Sequence, residues 1–191
     1  MKGLLEKSLP PKRYQHSLRV YETALTLAKH HQADREKVAI AALLHDCGRE
    51  IPTKESAEQA RALGLSVDEV EAAQPILLHA RIGALLAEQK YGVKDAEVLE
   101  AIRCHTVGGE NLSLTARIVF LADMLEPGRK FPGVEELRRL AEKDTEQALF
   151  AAYRSTIGYL LEAGALIHPA AVAAYNRLAA RRKSAAKAAK K

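Results

Sequence analysis

Six residues of this chain, His16, His45, Asp46, His79, His105 and Asp123, are of types that could do chemistry together. Each histidine falls on an otherwise apolar helical stripe, because steps of three and four residues return to one side of a helix. His16 aligns with Val20, Ala24, Leu27 and Ala28, and His45 with Val38, Ala41 and Ala42. His79 aligns with Gly83 and Leu86, His105 with Val98, Ala101 and Ile102, and Asp123 with Ala116, Val119 and Phe120. Asp46 follows a nearly uncharged run at the end of a helix. A carboxylate is costly to bury there without a cation, and a helix C-terminus is the wrong end for negative charge. A metal ion would remove both objections. Mixed imidazole and carboxylate ligands suit zinc, manganese or iron. Ligands spread over several helices do not fit a short-loop structural zinc site; they suit a catalytic metal in a bundle core with open positions.

These side chains need helices to carry them, and the sequence supplies helix signals throughout. Pro10-Pro11 precede a helix over about Lys12 to His30, with His30 and His31 at its end in a dipole role. Asp34 caps a helix from about Arg35 to Asp46 that stops near Gly48. Thr53 and Ser66 are expected as caps, the second with Glu69 in capping-box spacing, and Gly64 ends the helix between them. Pro75 starts a helix from Ile76 to Lys90, and Asp95 caps the one that carries His105 and breaks at Gly108-Gly109. Thr115 to Glu126 is expected to be helical and to stop at Pro127-Gly128. Helices from Glu135 to Lys143 and from Thr145 to Glu162 follow, and a last helix after Ile167-His168-Pro169 runs on into the tail. No repeat or linker interrupts this order, so an all-α single domain is expected over 1–178.

Composition agrees. The chain has 191 residues, 48% of them hydrophobic, with no Trp, which is enough for one packed core. No segment approaches the ~18 apolar residues of a membrane span, and Met1-Lys2-Gly3 leads into no signal-type core. Cys47 and Cys104 fit no disulfide framework, so a cytoplasmic setting is expected. The net charge of +5 is carried by the end of the chain: seven basic residues from Arg177 onward have no acidic companions. Residues 179–191 are therefore expected to form a solvated basic Ala/Lys tail, with no nucleic-acid or membrane partner implied.

The order His16, His45-Asp46, Asp123 resembles the H…HD…D signature of HD-domain metal-dependent phosphohydrolases, and His79 and His105 resemble the subset with extra histidines beside the metal. Further stretches narrow the likeness: His105-Thr106, then Ala122-Asp123-Met124-Leu125-Glu126-Pro127-Gly128-Arg129, Phe131-Pro132-Gly133-Val134, and Ile167-His168-Pro169 before Ala174-Tyr175-Asn176. Together these resemble the YqeK-type symmetrical bis(5′-nucleosyl)-tetraphosphatases, over about Lys12 to Leu178. The resemblance implies a single HD-domain helical bundle with iron held by His16, His45, Asp46 and Asp123, and a second ion or phosphate oxygens at His79 and His105. It also implies nucleotide contacts from Arg13, from Asp46, Cys47, Gly48 and Arg49, from Thr106 and Arg129, and from Leu166, Ile167, His168, Pro169, Ala170 and Ala171. Relatives often have lysine where this chain has Arg49, which keeps the charge and changes its geometry.

The chemistry implied is hydrolysis by water activated at the metal, which turns a dinucleoside tetraphosphate such as diadenosine tetraphosphate into two ADP. Asp46 would orient or deprotonate that water, His79 or His105 would protonate the departing ADP, and arginines would offset phosphate charge. A homodimer is compatible with this reading. Two other classes compete: an HD phosphohydrolase acting on a dNTP, an alarmone or a monophosphate, and a non-catalytic nucleotide- or RNA-binding module using the basic tail. A purely structural bundle would leave the six side chains scattered.

Overall fold

The computed structural model describes residues 1–188, and Ala189, Lys190 and Lys191 of the expected tail lie outside them. All regular structure among these residues is helical. The helices are α1 (Lys2–Ser8), α2 (Pro11–His30), α3 (Arg35–Leu44), α4 (Ser56–Ala62), α5 (Glu69–Ala73), α6 (His79–Gln89), α7 (Ala96–Cys104), α8 (Leu114–Leu125), α9 (Val134–Lys143), α10 (Thr145–Glu162) and α11 (Pro169–Ala188). Short 3-10 turns occupy Cys47–Glu50, Thr53–Glu55 and Pro75–Leu78.

Local chemistry sets most of the ends. Pro11 occupies the first turn of α2, where its missing N–H costs nothing. Asp34, Asp95, Ser113 and Asp144 cap α3, α7, α8 and α10 by accepting backbone N–H groups of the first turn. Two expected caps fall elsewhere. The capping box is Asp68 with Glu71, because the Ser66 carbonyl and hydroxyl are taken by Arg81. Thr53 lies inside a 3-10 turn that Pro52 precedes. Helix α1 carried no strong sequence signal, yet it anchors through fully buried Leu5. At the other end α11 continues through the expected tail boundary, with Arg181 3.3 Å from Asn111 Oδ1 and Arg182 over the Phe150 ring.

The central layer is α2, α3, α7 and α8. It buries Val20, Val38, Leu44, Ile102, Ile118 and Leu121, and α10 packs behind α8. Each such side chain contributes about 1.5–3 kcal/mol on burial, and together they hold polar groups in the same layer. A smaller cluster, Ala60, Leu78 and Ile82, seats the segment around α4 beside α6.

The turn after α3 is the tightest junction. The helix ends two residues before the expected Asp46, and Cys47–Glu50 packs directly on α6. Cys47 is fully buried and its thiol donates to the Gly83 carbonyl at 3.2 Å. A Cβ on Gly48 would lie 2.1 Å from the His79 carbonyl oxygen and 2.8 Å from Gly83 N. Gly48→Ala is expected to destabilise the protein by about 3 kcal/mol, toward the upper end for overpacking, and to displace Asp46 from His79. Urea unfolding of the variant, compared with Gly83→Ala, where the nearest contact is 3.2 Å, measures this.

Candidate functional site

The six residues converge. His16 comes from the second turn of α2, His45 and Asp46 from the end of α3, His79 from the first residue of α6, His105 from the end of α7, and Asp123 from the last turn of α8. All are buried except Asp123, whose side chain is 21% exposed. The four Nε2 atoms point inward and form two pairs: His16 with His45 at 3.3 Å, and His79 with His105 at 3.0 Å. Asp46 spans them. Its Oδ2 lies 3.8 and 3.7 Å from His16 and His45 Nε2, and its Oδ1 lies 3.1 and 3.8 Å from His79 and His105 Nε2. Asp123 Oδ1 completes the first pair, 3.0 Å from His16 Nε2 and 4.0 Å from His45 Nε2.

The outer nitrogens fix which proton each ring carries. His45, His79 and His105 direct Nδ1 at the carbonyls of Ala42, Ile76 and Ile102, each three residues earlier. A carbonyl only accepts, so each Nδ1 holds a hydrogen; the neutral ring then presents its Nε2 lone pair inward to a cation, and without one that nitrogen can take a proton and donate to a carboxylate. His16 Nδ1 faces the Glu126 carboxylate at 3.3 Å with the same consequence. Lone pairs and two carboxylates gathered at 3–4 Å repel unless a cation sits among them. This donor set fits a metal ion, with His16, His45 and Asp123 able to offer atoms to one centre, as are His45, Asp46 and His105.

The electrostatics agree. Burial works to raise the Asp46 carboxyl, but His45, the His79 hydrogen bond and His105 outweigh it and hold the group well below the usual carboxylate range. Asp123 is also held low: burial opposes ionisation, and the His16 hydrogen bond, His45, His105 and Arg129 overcome it. Burial, then His45 and His79, push His105 down to about 3, so it is neutral and free to ligate. Burial raises the Cys47 thiol to about 12, so it is not poised as a nucleophile.

Arginines rim the cluster. Arg13 donates to Asp46 Oδ2 at 3.0 Å, Arg49 Nε lies 3.5 Å from Asp46 Oδ1, and Arg129 pairs with Asp123 while its Nε donates to the Asp123 carbonyl at 2.8 Å. Thr106 Oγ1 sits 3.2 Å from His79 Nε2 and 3.1 Å from His105 Nε2. A cavity of about 680 Å³ opens from His105, Thr106, Asp123 and Arg129 between Phe131-Pro132 and the exposed side of α10, reaching Ala171. Not every expected contact faces it. The Cys47 side chain points at α6, and His168 Nε2 pairs with Asp68 at 3.0 Å while its Nδ1 accepts from Ala170 N–H. No sequence signal marks the α10 wall of Arg154, Thr156 and Tyr159, because these residues lie partly or wholly exposed and follow no apolar period.

Comparison with known proteins finds clear relatives. The family model of the HD domain matches residues 13–128. The chain is 40% identical to the symmetrical bis(5′-nucleosyl)-tetraphosphatase of Halalkalibacterium halodurans, over 92% of this chain and 93% of that protein. It is 37% identical to the protein of the same name from Bacillus subtilis, over 91% and 93%. A solved structure from Clostridium acetobutylicum, a "predicted HD superfamily hydrolase involved in NAD metabolism", superposes with a TM-score of 0.90 at 38% identity, over 94% of this chain and 95% of that one.

If the inward lone pairs await a cation, stripping metal with a chelator lowers the melting temperature and adding a divalent ion restores it. Linkage sets the scale at about 2.7 kcal/mol for ligand at a hundred times Kd. His45→Ala and Asp123→Ala are expected to abolish the rise, which differential scanning calorimetry with and without the ion reads directly.

Proposed function

The chain belongs to the HD-domain family, and we propose that it is a metal-dependent symmetrical bis(5′-nucleosyl)-tetraphosphatase that converts diadenosine tetraphosphate into two ADP. The observation that carries this reading is Asp46: one buried carboxylate faces two inward histidine pairs and two arginines beside an open cavity. A polyphosphate needs that combination of cations and a positioned acceptor.

His16, His45, Asp46 and Asp123 would hold the ion, proposed to be iron. Once bound, it supplies Lewis-acid polarisation of a phosphoryl oxygen and a more acidic water. Asp46 accepts a hydrogen bond from the attacking water and orients it toward a central phosphorus. Arg13, Arg49 and Arg129 lie close enough to exchange a carboxylate partner for phosphate oxygens, to which guanidinium binds bidentately. The His79–His105 pair, at 3.0 Å, can hold one proton between its two Nε2 atoms and offer it to the departing ADP oxygen. A second ion there would exclude that proton, so metal stoichiometry separates the two roles. Phe131 and Pro132 offer an apolar wall for a nucleoside. The turn from Leu166 to Ala171, with the backbone of Cys47 and Gly48, is proposed to contact the nucleotide. The catalytic unit is proposed to span 1–178 in the cytoplasm; within the basic tail from 179, Arg181 and Arg182 pack on the body, and the residues from Lys183 onward are proposed to be dispensable.

Asp46→Ala is expected to lower turnover of diadenosine tetraphosphate by roughly 10²–10⁴-fold. Chromatography of wild-type products should show ADP alone; ATP plus AMP would contradict symmetric cleavage, and turnover of a dNTP in its place would move the substrate class. Removing residues 183–191 should leave the rate unchanged, and a loss of RNA retention without loss of hydrolysis would point to a separate role for the tail.

A further inference from the structure

Three of the four inward histidines are oriented by their own helix ends. His45 and His105 cap α3 and α7, and His79 starts α6 after a 3-10 turn. Terminal carbonyls lack helical partners, so the one three residues back is free to accept Nδ1–H. His16 cannot use that device. It lies inside α2, where the preceding carbonyls are committed to the helix. Its acceptor must come from elsewhere in the fold, and it is Glu126, 110 positions away in sequence.

Glu126 is built into place. It is 3% exposed and sits at the end of α8, where the backbone turns extended. Its Oε2 accepts from Arg19 Nε and from Gly128 N–H, both at 2.6 Å, while Oε1 faces His16 Nδ1 at 3.3 Å and Arg19 Nη2 at 3.4 Å. Gly128 leaves room for this: a Cβ there would stand 2.9 Å from both carboxylate oxygens and push them aside. Arg138 of α9 binds the carbonyls of Leu125, Glu126 and Arg129 and so holds the turn against α9. Asp123 and Glu126, one turn apart, therefore face opposite nitrogens of one imidazole.

We propose that Glu126 is the positioning residue that fixes His16 with its hydrogen on Nδ1 and its Nε2 lone pair toward the metal, and that Arg19 and Gly128 hold Glu126 in that role. The inference rests on the metal reading above. Glu126→Gln separates charge and tautomer from shape. An amide has one acceptor oxygen, and the Arg19–Gly128 side presents two short donors to claim it. The amide NH₂ then faces His16 Nδ1, which must accept, and the ring hydrogen moves to Nε2, where it blocks coordination.

The test is Co²⁺ titration of the metal-stripped full chain, followed by its visible absorption and by chelator competition, with helicity and melting temperature measured in parallel. Glu126→Gln is expected to weaken Co²⁺ binding about 10–100-fold with helicity retained, as loss of a group behind a ligating histidine does. Gly128→Ala, which keeps the charge but crowds the carboxylate, should weaken binding less, and Arg19→Gln less than Glu126→Gln. If Glu126→Gln does not fold, the Gly128→Ala comparison decides alone. Wild-type affinity in both Glu126→Gln and Gly128→Ala would overturn the proposal while leaving the metal site standing. A wild-type chain that takes up no Co²⁺ would overturn the metal reading and this inference together.

Discussion

Everything in this fold answers to one electrostatic constraint: four imidazole lone pairs and two carboxylates share a space a few ångströms across. A buried carboxylate without compensation costs several kcal/mol, and Asp46 is 2% exposed. Arginine offsets part of it from the rim, and a metal ion would offset the rest from within. The apolar layer of α2, α3, α7 and α8 supplies the stability that tolerates this concentration of polar groups.

The same constraint explains why the ligand-bearing positions cluster at helix ends. A C-terminal turn has free carbonyls that fix a histidine's hydrogen, so His45 and His105 come with their tautomer already decided. The end of α8 does two things within one turn: Asp123 faces the centre, and Arg129 folds back onto it. The tight turn at Gly48, pressed on α6, keeps Asp46 between the two histidine pairs.

Local and periodic features were legible in the sequence. The bounds of α10 match the expectation, and those of α2, α8 and α9 fall within a residue of it, since caps and helical periods act over a few residues; α7 starts where expected but ends at Cys104, short of the expected break at Gly108. Helix α1 was not legible, since its seven residues offer little periodicity, and the α5 capping box lies two residues later than expected. That offset is tertiary in origin: Ser66 and Asp68 both had the right spacing, and Arg81 of α6 decided between them by engaging Ser66. His168 carried a motif signal but no hint of its partner, Asp68, which lies a hundred positions away.

The sequence by itself determined most of the helices, the inward face of those that carry the site, and the set of six residues with metal-ligand chemistry, because residue type and a period of 3.6 are properties of short segments. Only the tertiary structure decided that the His45-Asp46 doublet is a bridge, one carboxylate shared by two histidine pairs, and that Glu126 stands behind His16. It also decided the α10 wall of the cavity. Those facts depend on how helices cross, and crossing is fixed by the packing of side chains far apart in the chain, which no local pattern encodes.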